Sequence, residues 1–447
     1  MTVDRLRSAA GTGTRAPVRS IVTMSALNVA QTACNAMIAL LTTVALGPAD
    51  RGVMVVGITV GSFLSFIGGL GTGPALRSRA PSADGEHRLA LLSAYTWWSV
   101  AGAVLAPALA VAASAASAPA IDAGLADPGF LLALAVYTST QLLMNQFVEA
   151  WYADGHYNRA VGSAAATGAA SLAAVLVGLA VERTPGALLL AQSLGAAVAC
   201  GVVGTRLHAA GLLDLRRPRL HLLPELLRVG TPALGVNAGL AVVLRADRYL
   251  LGLASGPAAV GVYSLAATLG EVVRVVPIAA GQVLQRETAV DRRGGGAARL
   301  LRTALVITAA GALVGGIAAW WLIPPVFGPE FTGARDLLVV LLVAEVCFVP
   351  YALASRGLLG GGWTGTAGSL GMAGAICAVA CYAVATRTGG AAGAAVASLL
   401  VYGGLSAASW ALLRRRLRTG RDPVRAGGPA RRDRALLRSA PREDGRS

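Results

Sequence analysis

The chain has 447 residues, 55% apolar and only 13% charged, with a mean hydropathy of +0.63, outside the range of water-soluble globular proteins. Its apolarity comes in runs of about 20 residues, the length that crosses ~30 Å of hydrocarbon; this excludes a soluble enzyme with one buried helix and a β-barrel of ~10-residue alternating strands. The net charge of +16 is carried by 38 arginines, with no lysine, concentrated in short loops and the C-terminal segment, where positive-inside topology accounts for them without nucleic acid.

Residues 1–19 form a basic N-terminus without an apolar core, and the first run has no small-residue cleavage site, so it reads as a retained span. Apolar runs predict an all-α polytopic protein of about twelve membrane-spanning helices. Six lie near 20–46, 52–75, 90–117, 129–152, 160–181 and 187–207, forming a first bundle over 20–210. A cytoplasmic linker over 211–229 follows. The second bundle, 230–413, holds spans near 230–252, 257–283, 300–323, 336–358, 363–386 and 391–413. The connections are too short for a folded domain outside the membrane.

Thirty-one arginines fall at the two termini and in alternate loops, against six on or near the other side (Arg51, Arg183, Arg245, Arg248, Arg335, Arg387). Both termini are therefore expected in the cytoplasm of a cell whose plasma membrane holds the protein. The segment 414–447 has twelve arginines and four acids and is expected to be disordered, either solvated or lying on anionic lipid headgroups. Cys34, Cys200, Cys347, Cys377 and Cys381 sit inside apolar runs, where a thiol packs as a small hydrophobe, and no disulfide framework follows. The four histidines lack metal-ligand spacing, and no phosphate-binding G-x-x-x-x-G-K-S/T or nucleophilic G-x-S-x-G motif is present. No metal, cofactor or catalytic residue is expected, and the chain does not read as an enzyme.

Sliding the chain by 209 residues aligns Asn28 with Asn237, Gly47-Pro48-Ala49 with Gly256-Pro257-Ala258, Gly52-Val53 with Gly261-Val262, and Arg77 with Arg286. The shared loop G-P-x-x-x-G-V marks a duplication of spans one and two as spans seven and eight. Six spans separate the copies, so the halves point the same way and are related by an axis along the membrane normal. Two such bundles enclose a cleft able to open to either side. Glycine pairs Gly57/Gly61, Gly235/Gly239 and Gly311/Gly315 are expected to bring helix backbones close together.

Polar residues inside the spans mark the cleft. At 100° per residue, Ser25, Asn28, Thr32, Asn35 and Thr42 share one face of span one, which must meet protein or a water-filled cavity. Span four repeats this with Thr138, Gln141, Asn145, Glu149 and Tyr152. On span seven, Asn237, Ala241, Arg245 and Arg248 share a face. An arginine at depth is costly and points to function, unless it reaches the outer interface, the reading favoured for Arg248. Asp247 faces away from Arg245 and needs another partner. Glu271 and Arg274 are spaced to pair along span eight, either neutralising each other or facing the cavity. Glu345 in span ten is expected to be a lone buried acid, able to couple transport to protons.

With these residues in view, the chain resembles the bacterial polysaccharide-export flippases of the multidrug/oligosaccharidyl-lipid/polysaccharide exporter superfamily. The resemblance rests on the Asn-bearing first helix, A-L-G-P-A-D-R-G-V at 45–53, F-I-G-G-L-G-T-G-P-A-L-R at 66–77, R-A-D-R-Y-L-L-G-L at 245–253 and G-V-Y-S-L-A-A-T-L-G-E at 261–271. It implies that a polyprenyl-diphosphate-linked oligosaccharide, or a related envelope glycolipid, moves from the inner to the outer leaflet by alternating access without ATP. H⁺ and Na⁺ are the candidate coupling ions, and polysaccharide-assembly proteins are candidate partners. Arginine suits the diphosphate, and the polar stripes suit the glycan. Arg245 and Arg274 are the only deep cations recognisable as its ligands, fewer than such a substrate leads one to expect. The alternatives are an ion-coupled multidrug exporter of the same fold, a membrane glycosyltransferase or polymerase, and a major-facilitator transporter.

Overall fold

The structure, a computed structural model, describes residues 15–215, 218–290 and 296–419. All regular structure among them is helical: α1 (Arg15–Gly68), α2 (Thr72–Arg79), α3 (Gly85–Ser117), α4 (Pro128–Ala153), α5 (Tyr157–Val181), α6 (Pro185–Ala209), α7 (Leu223–Glu271), α8 (Val275–Val290), α9 (Ala297–Phe327), α10 (Ala334–Gly360) and α11 (Thr364–Thr419).

Helices α1, α7 and α11 have 54, 49 and 56 residues. Straight, each would extend roughly 75–85 Å, more than twice a hydrocarbon core. Each is instead broken into two arms at a glycine: Gly47 (φ 72°, ψ 177°), Gly256 (φ 76°, ψ 177°) and Gly390 (φ 53°, ψ −134°). Positive φ with extended ψ is open only to glycine, which sets the position of these breaks. Pro48 and Pro257 follow two of them; a proline has no N–H to lose in the first turn of a restarting helix. The described residues hold nine helices long and apolar enough to cross a membrane, three of them divided at these glycines.

Several boundaries depart from the sequence reading: the second span ends at Gly68, short of the expected 75, and α7 begins at Leu223, inside the expected linker 211–229. The eighth span is interrupted by a 3₁₀ turn at Val272–Arg274 and runs on as α8 to Val290, past the expected 283. Pro277 cannot donate to the carbonyl of Val273, which loosens the helix there. Residues 414–419, expected to open a disordered segment, are the last turns of α11. The rest of that expected tail, 420–447, and residues 1–14 of the basic N-terminus lie outside the described residues.

The 209-residue repeat reappears as geometry. Gly47 and Gly256 share one backbone conformation. Gly52 lies against the backbone of Pro257, and Gly261, its repeat counterpart, lies against the backbone of Pro48. A β-carbon at either glycine would collide with the facing carbonyl, so the repeated loop packs on its own copy about a pseudo-two-fold axis. Gly235 and Gly239 bring α7 against Gly368 and Gly371 of α11, as their spacing suggests. Gly57 and Gly61 instead receive the side chains of Phe130, Leu134 and Tyr137 on α4. Gly311 has only Val273 near it and Gly315 nothing within 4 Å, so that pair makes no close helix approach.

Packing differs between the two ends of the bundle. At the end bearing Gly47, Gly256 and Gly390, here the far end, one apolar core joins both halves: Val53, Met54 and Val56 of α1 pack with Leu251, Val260 and Leu265 of α7. At the opposite, arginine-rich end, Leu76, Leu91, Tyr95 and Trp151 form a core in the first half, while Leu284, Val349, Leu353 and Leu413 form another in the second. Across that end the halves touch where Gly71 meets Gly230 backbone to backbone, where Leu226 of α7 is buried in the first of these cores, and through half-exposed contacts of Glu225 with Arg79 (3.8 Å) and His87 (3.7 Å).

Candidate functional site: a cavity between the two halves

A cavity of about 860 Å³ lies between the halves, ending against the shared core at the far end. Asn28, Thr32 and Asn35 on α1, and Val272 and Ile278 facing them from the second half, line it while remaining exposed, so the cavity is open between these stretches.

The wall from the first half is mainly amide and hydroxyl. Asn28, Gln31, Thr32 and Asn35 present amides and a hydroxyl from the first arm of α1, and Gln141 and Asn145 do so from α4. Glu149 closes this wall near the arginine-rich end, 3.6 Å from Arg77, whose guanidinium lies over the Tyr152 ring. Thr42 and Thr138, expected on the same stripes, are buried and turned into the protein: Thr138 donates to the Leu134 carbonyl, Thr42 to that of Ile38. The side chain of Ser25 lies outside the described residues.

The wall from the second half is charged. Helical side chains lean toward the N-terminus of their own helix. Across the turn at Gly256, arginines on the first arm of α7 thus lean away from the turn, and Glu271 on the second arm leans back toward it. They converge: Glu271 accepts from Arg248 at 2.5 Å and lies 3.5 Å from Arg245 and 4.0 Å from Arg274. Arg274 makes a bidentate contact with Glu345 of α10, Nε to Oε2 at 2.8 Å with a second bond from Nη2 to Oε1, and stacks over Phe348. Asp247 accepts from the Tyr263 hydroxyl at 2.6 Å and the Arg248 backbone N–H at 2.8 Å. Tyr263 in turn reaches Ser398, which also meets Tyr382. Asn237 lines the cavity nearer its open portion, on the repeat counterpart of the α1 wall.

The structure thus gathers Asn28, Thr32, Asn35, Gln141, Asn145, Glu149, Asn237, Arg245, Glu271 and Arg274 around one cavity. Two expectations change and two open alternatives are resolved. Arg248 does not reach toward the interface; its side chain is 3% exposed and bound to Glu271. Glu271 and Arg274 both face the cavity, the second of the two readings; their contact along the helix is the long one at 4.0 Å, because Glu271 is shared with two nearer arginines and Arg274 turns to Glu345. Glu345 is therefore not a lone acid. Asp247 lies behind the cavity lining and finds the partner it needs in the Tyr263 hydroxyl of the next span and the Arg248 backbone N–H.

One residue escaped the sequence reading. Arg51, counted there among the far-side charges, is 5% exposed and lines the cavity at its closed end. It donates to Thr42 Oγ1 at 2.9 Å and to the Met54 sulfur, its Nε has no partner, and among the described residues no carboxylate pairs with it. The repeat places Arg51 opposite Val260, which the structure buries fully, so the position faces inward in both copies.

The family model described as polysaccharide biosynthesis protein matches the chain over residues 18–284. None of the curated proteins matches it. Among solved structures the chain is similar to the lipid II flippase MurJ in an inward closed conformation, with a TM-score of 0.70 and 13% identity over 87% of each chain. It is also similar to a multidrug resistance MATE family transporter of the MOP superfamily. The inward-facing form of that transporter gives a TM-score of 0.67 at 15% identity, covering 89% of this chain and 95% of the other. The outward-facing form gives 0.57 at 16%, covering 90% and 95%.

Proposed function

The chain belongs to the polysaccharide biosynthesis protein family and is a multi-pass membrane transporter of the MOP superfamily, and from that premise we propose that it is a flippase for a polyprenyl-diphosphate-linked oligosaccharide or related envelope glycolipid. The observation that carries this reading is the surplus of cation at the closed end of the cavity. Among the described residues Arg51 is buried with no carboxylate, and Arg245 and Arg248 share one cavity-facing carboxylate, Glu271, while the neighbouring Arg274 is held by Glu345. A buried guanidinium without a counterion is costly, and a diphosphate that accepts its hydrogen bonds in the dry interior removes that cost.

The remaining groups fit the same cargo. The amides of Asn28, Asn35, Gln141, Asn145 and Asn237 offer both donors and acceptors to sugar hydroxyls, without a charge that would hold the glycan too tightly for release. The opening beside Val272 and Ile278 lets the polyprenyl chain remain in lipid while the headgroup enters. With both termini in the cytoplasm of a bacterial cell, the arginine-rich end faces inward and the cavity is open to the inner leaflet. Outward opening then requires parting the apolar contact at Gly52 and Gly261 and re-forming contact at the other end. Glu345 holds Arg274 in place rather than carrying a proton. A multidrug exporter of the same fold is the second reading; an organic cation would meet the arginines first and be repelled.

The test compares polyprenyl-linked lipids extracted from cells with and without the gene. Accumulation of one saccharide-bearing lipid, reversed by the wild-type protein but not by Arg51→Ala or Arg245→Ala at equal protein level, is expected. An unchanged lipid pool together with raised sensitivity to cationic drugs overturns the reading in favour of the exporter.

A further inference from the structure

A second cavity, about 890 Å³, is cut into the outer face of the second half between α9, α10 and the second arm of α11. Its walls are Leu305, Val346, Pro350, Ala407, Ala411 and Trp410, and it shares no lining residue with the cavity between the halves. Gly403 leaves room along it, with nothing within 4 Å of where a β-carbon would sit. The floor is built at a proline. Pro350 interrupts the hydrogen bonding of α10, and Ser406 of α11 inserts there, accepting from the Tyr351 N–H at 3.1 Å and donating to the Cys347 carbonyl at 2.6 Å. The floor is thereby satisfied without water, which leaves the groove apolar through its depth.

Charge enters at one end only. Arg414, Arg415 and Arg418 line the mouth at the arginine-rich end, all exposed, and among the described residues no carboxylate pairs with any of them. Arg414 lies over the Trp410 ring at 5.5 Å, and Arg416 of the same turn is tied to Thr366 at 3.2 Å, which holds the end of α11 in register with its own first arm. From Gly403 to Arg418 the helix rises ~22 Å, about the depth of one bilayer leaflet with its headgroup zone. An apolar trough of that length, with an amphipathic indole and three free guanidinium groups at its mouth, has the polarity profile of a phospholipid turned inside out.

We propose that this groove binds one anionic diacyl phospholipid, an acyl chain lying between α9 and α11 and the phosphodiester on Arg414, Arg415 and Arg418. The chain's own C-terminal segment is a poor occupant, since residues 420–447 carry eight further arginines and would be repelled at the mouth. The polyprenyl tail of a substrate in the central cavity is excluded by α10, which stands between the two cavities. The bound lipid stabilises the packing of α9 and α11 on the face of α10 opposite the Arg274–Glu345 pair.

The experiment uses the full-length protein in a neutral detergent, titrated with phosphatidylglycerol or phosphatidylcholine and read by native mass spectrometry. One retained phosphatidylglycerol per chain is expected, at least tenfold preferred over phosphatidylcholine. The triple substitution Arg414→Ala, Arg415→Ala, Arg418→Ala should abolish that preference, and the groove-filling Gly403→Trp should remove binding of both lipids while leaving every charge in place. Undiminished phosphatidylglycerol retention in folded, monodisperse Gly403→Trp protein overturns the proposal, as does equal retention of the two lipids by the wild type. If the triple variant does not fold, Gly403→Trp and the wild-type preference decide alone. Displacement of phosphatidylglycerol by an equimolar polyprenyl diphosphate overturns the choice of occupant.

Discussion

The two halves of this protein descend from one pattern and differ most sharply in the charge of the cavity walls they build. At the far end they remain equivalent: Gly52 packs on Pro257 as Gly261 packs on Pro48. Along the cavity they do not. The repeat places Ala36 opposite Arg245, Ala39 opposite Arg248, Ser62 opposite Glu271 and Ser65 opposite Arg274. Ser62 bonds to the Tyr137 hydroxyl at 3.1 Å and Ser65 closes on its own helix, where their counterparts form the ionic network. The reversal within the repeat is Arg51, facing Val260, and Glu149 adds a carboxylate to the first-half wall near the arginine-rich end. Helix packing thus constrains both copies alike, because a backbone contact tolerates no side chain on either side of the axis. Cavity-facing positions are free to specialise, one wall becoming mainly amide and hydroxyl and the other charged.

This contrast can be broken most directly at the buried ion pair. Glu345→Ala leaves Arg274 without its bidentate partner, and removing one member of a buried pair costs about 3–5 kcal/mol. A large fall in the thermal midpoint of the detergent-solubilised protein is expected. Ser65→Ala, at the repeat counterpart of Arg274, should leave the midpoint near the wild type; a comparable fall would mean that the two walls are not energetically distinct.

Arg51→Val, which copies Val260 into the first half, should separate stability from transport. Charge-assisted hydrogen bonds are worth about 1.5–3 kcal/mol, so cargo movement should drop about 10- to 100-fold. The thermal midpoint should hold or rise, since an unpaired buried cation is removed. A lower midpoint with unchanged transport would make Arg51 structural.

The equivalence of the far end is tested by Gly52→Ala and Gly261→Ala. Each drives a methyl into the facing proline carbonyl, overpacking that costs about 1–3 kcal/mol. Both should loosen the seal to the same degree, read as reaction of an introduced Ser62→Cys with a membrane-impermeant thiol reagent applied from the far side. Unequal effects would deny the pseudo-symmetry. The smallest effect belongs to the half-exposed pair Arg79–Glu225 at the other end. Arg79→Ala should cost no more than ~1 kcal/mol, and less in high salt.

Much of this was legible in the chain. The breaks at Gly47 and Gly256 followed from a glycine-proline pair between apolar runs, and the membership of the cavity wall followed from helical periodicity. The partners of the charges were not legible. Periodicity describes one helix at a time, so Glu271 and Arg274, three residues apart, read as a pair, whereas α10 offers Arg274 a better acceptor from 71 residues away. Arg248 read as an interfacial residue for the same reason: its burial depends on the returning arm of its own helix.

Sequence alone determined that the chain spans a membrane many times, that it is a tandem duplication, and which helix faces are polar. These follow from composition, length and local geometry, because lipid allows no unsatisfied backbone and glycine alone accepts the conformation of the breaks. Only the tertiary structure decided which carboxylate answers which arginine, that Arg51 has none among the described residues, and that the apolar seal lies at the far end. Those are properties of distances between segments remote in the chain, and the interaction of two charges depends on such distances and on the water excluded from between them.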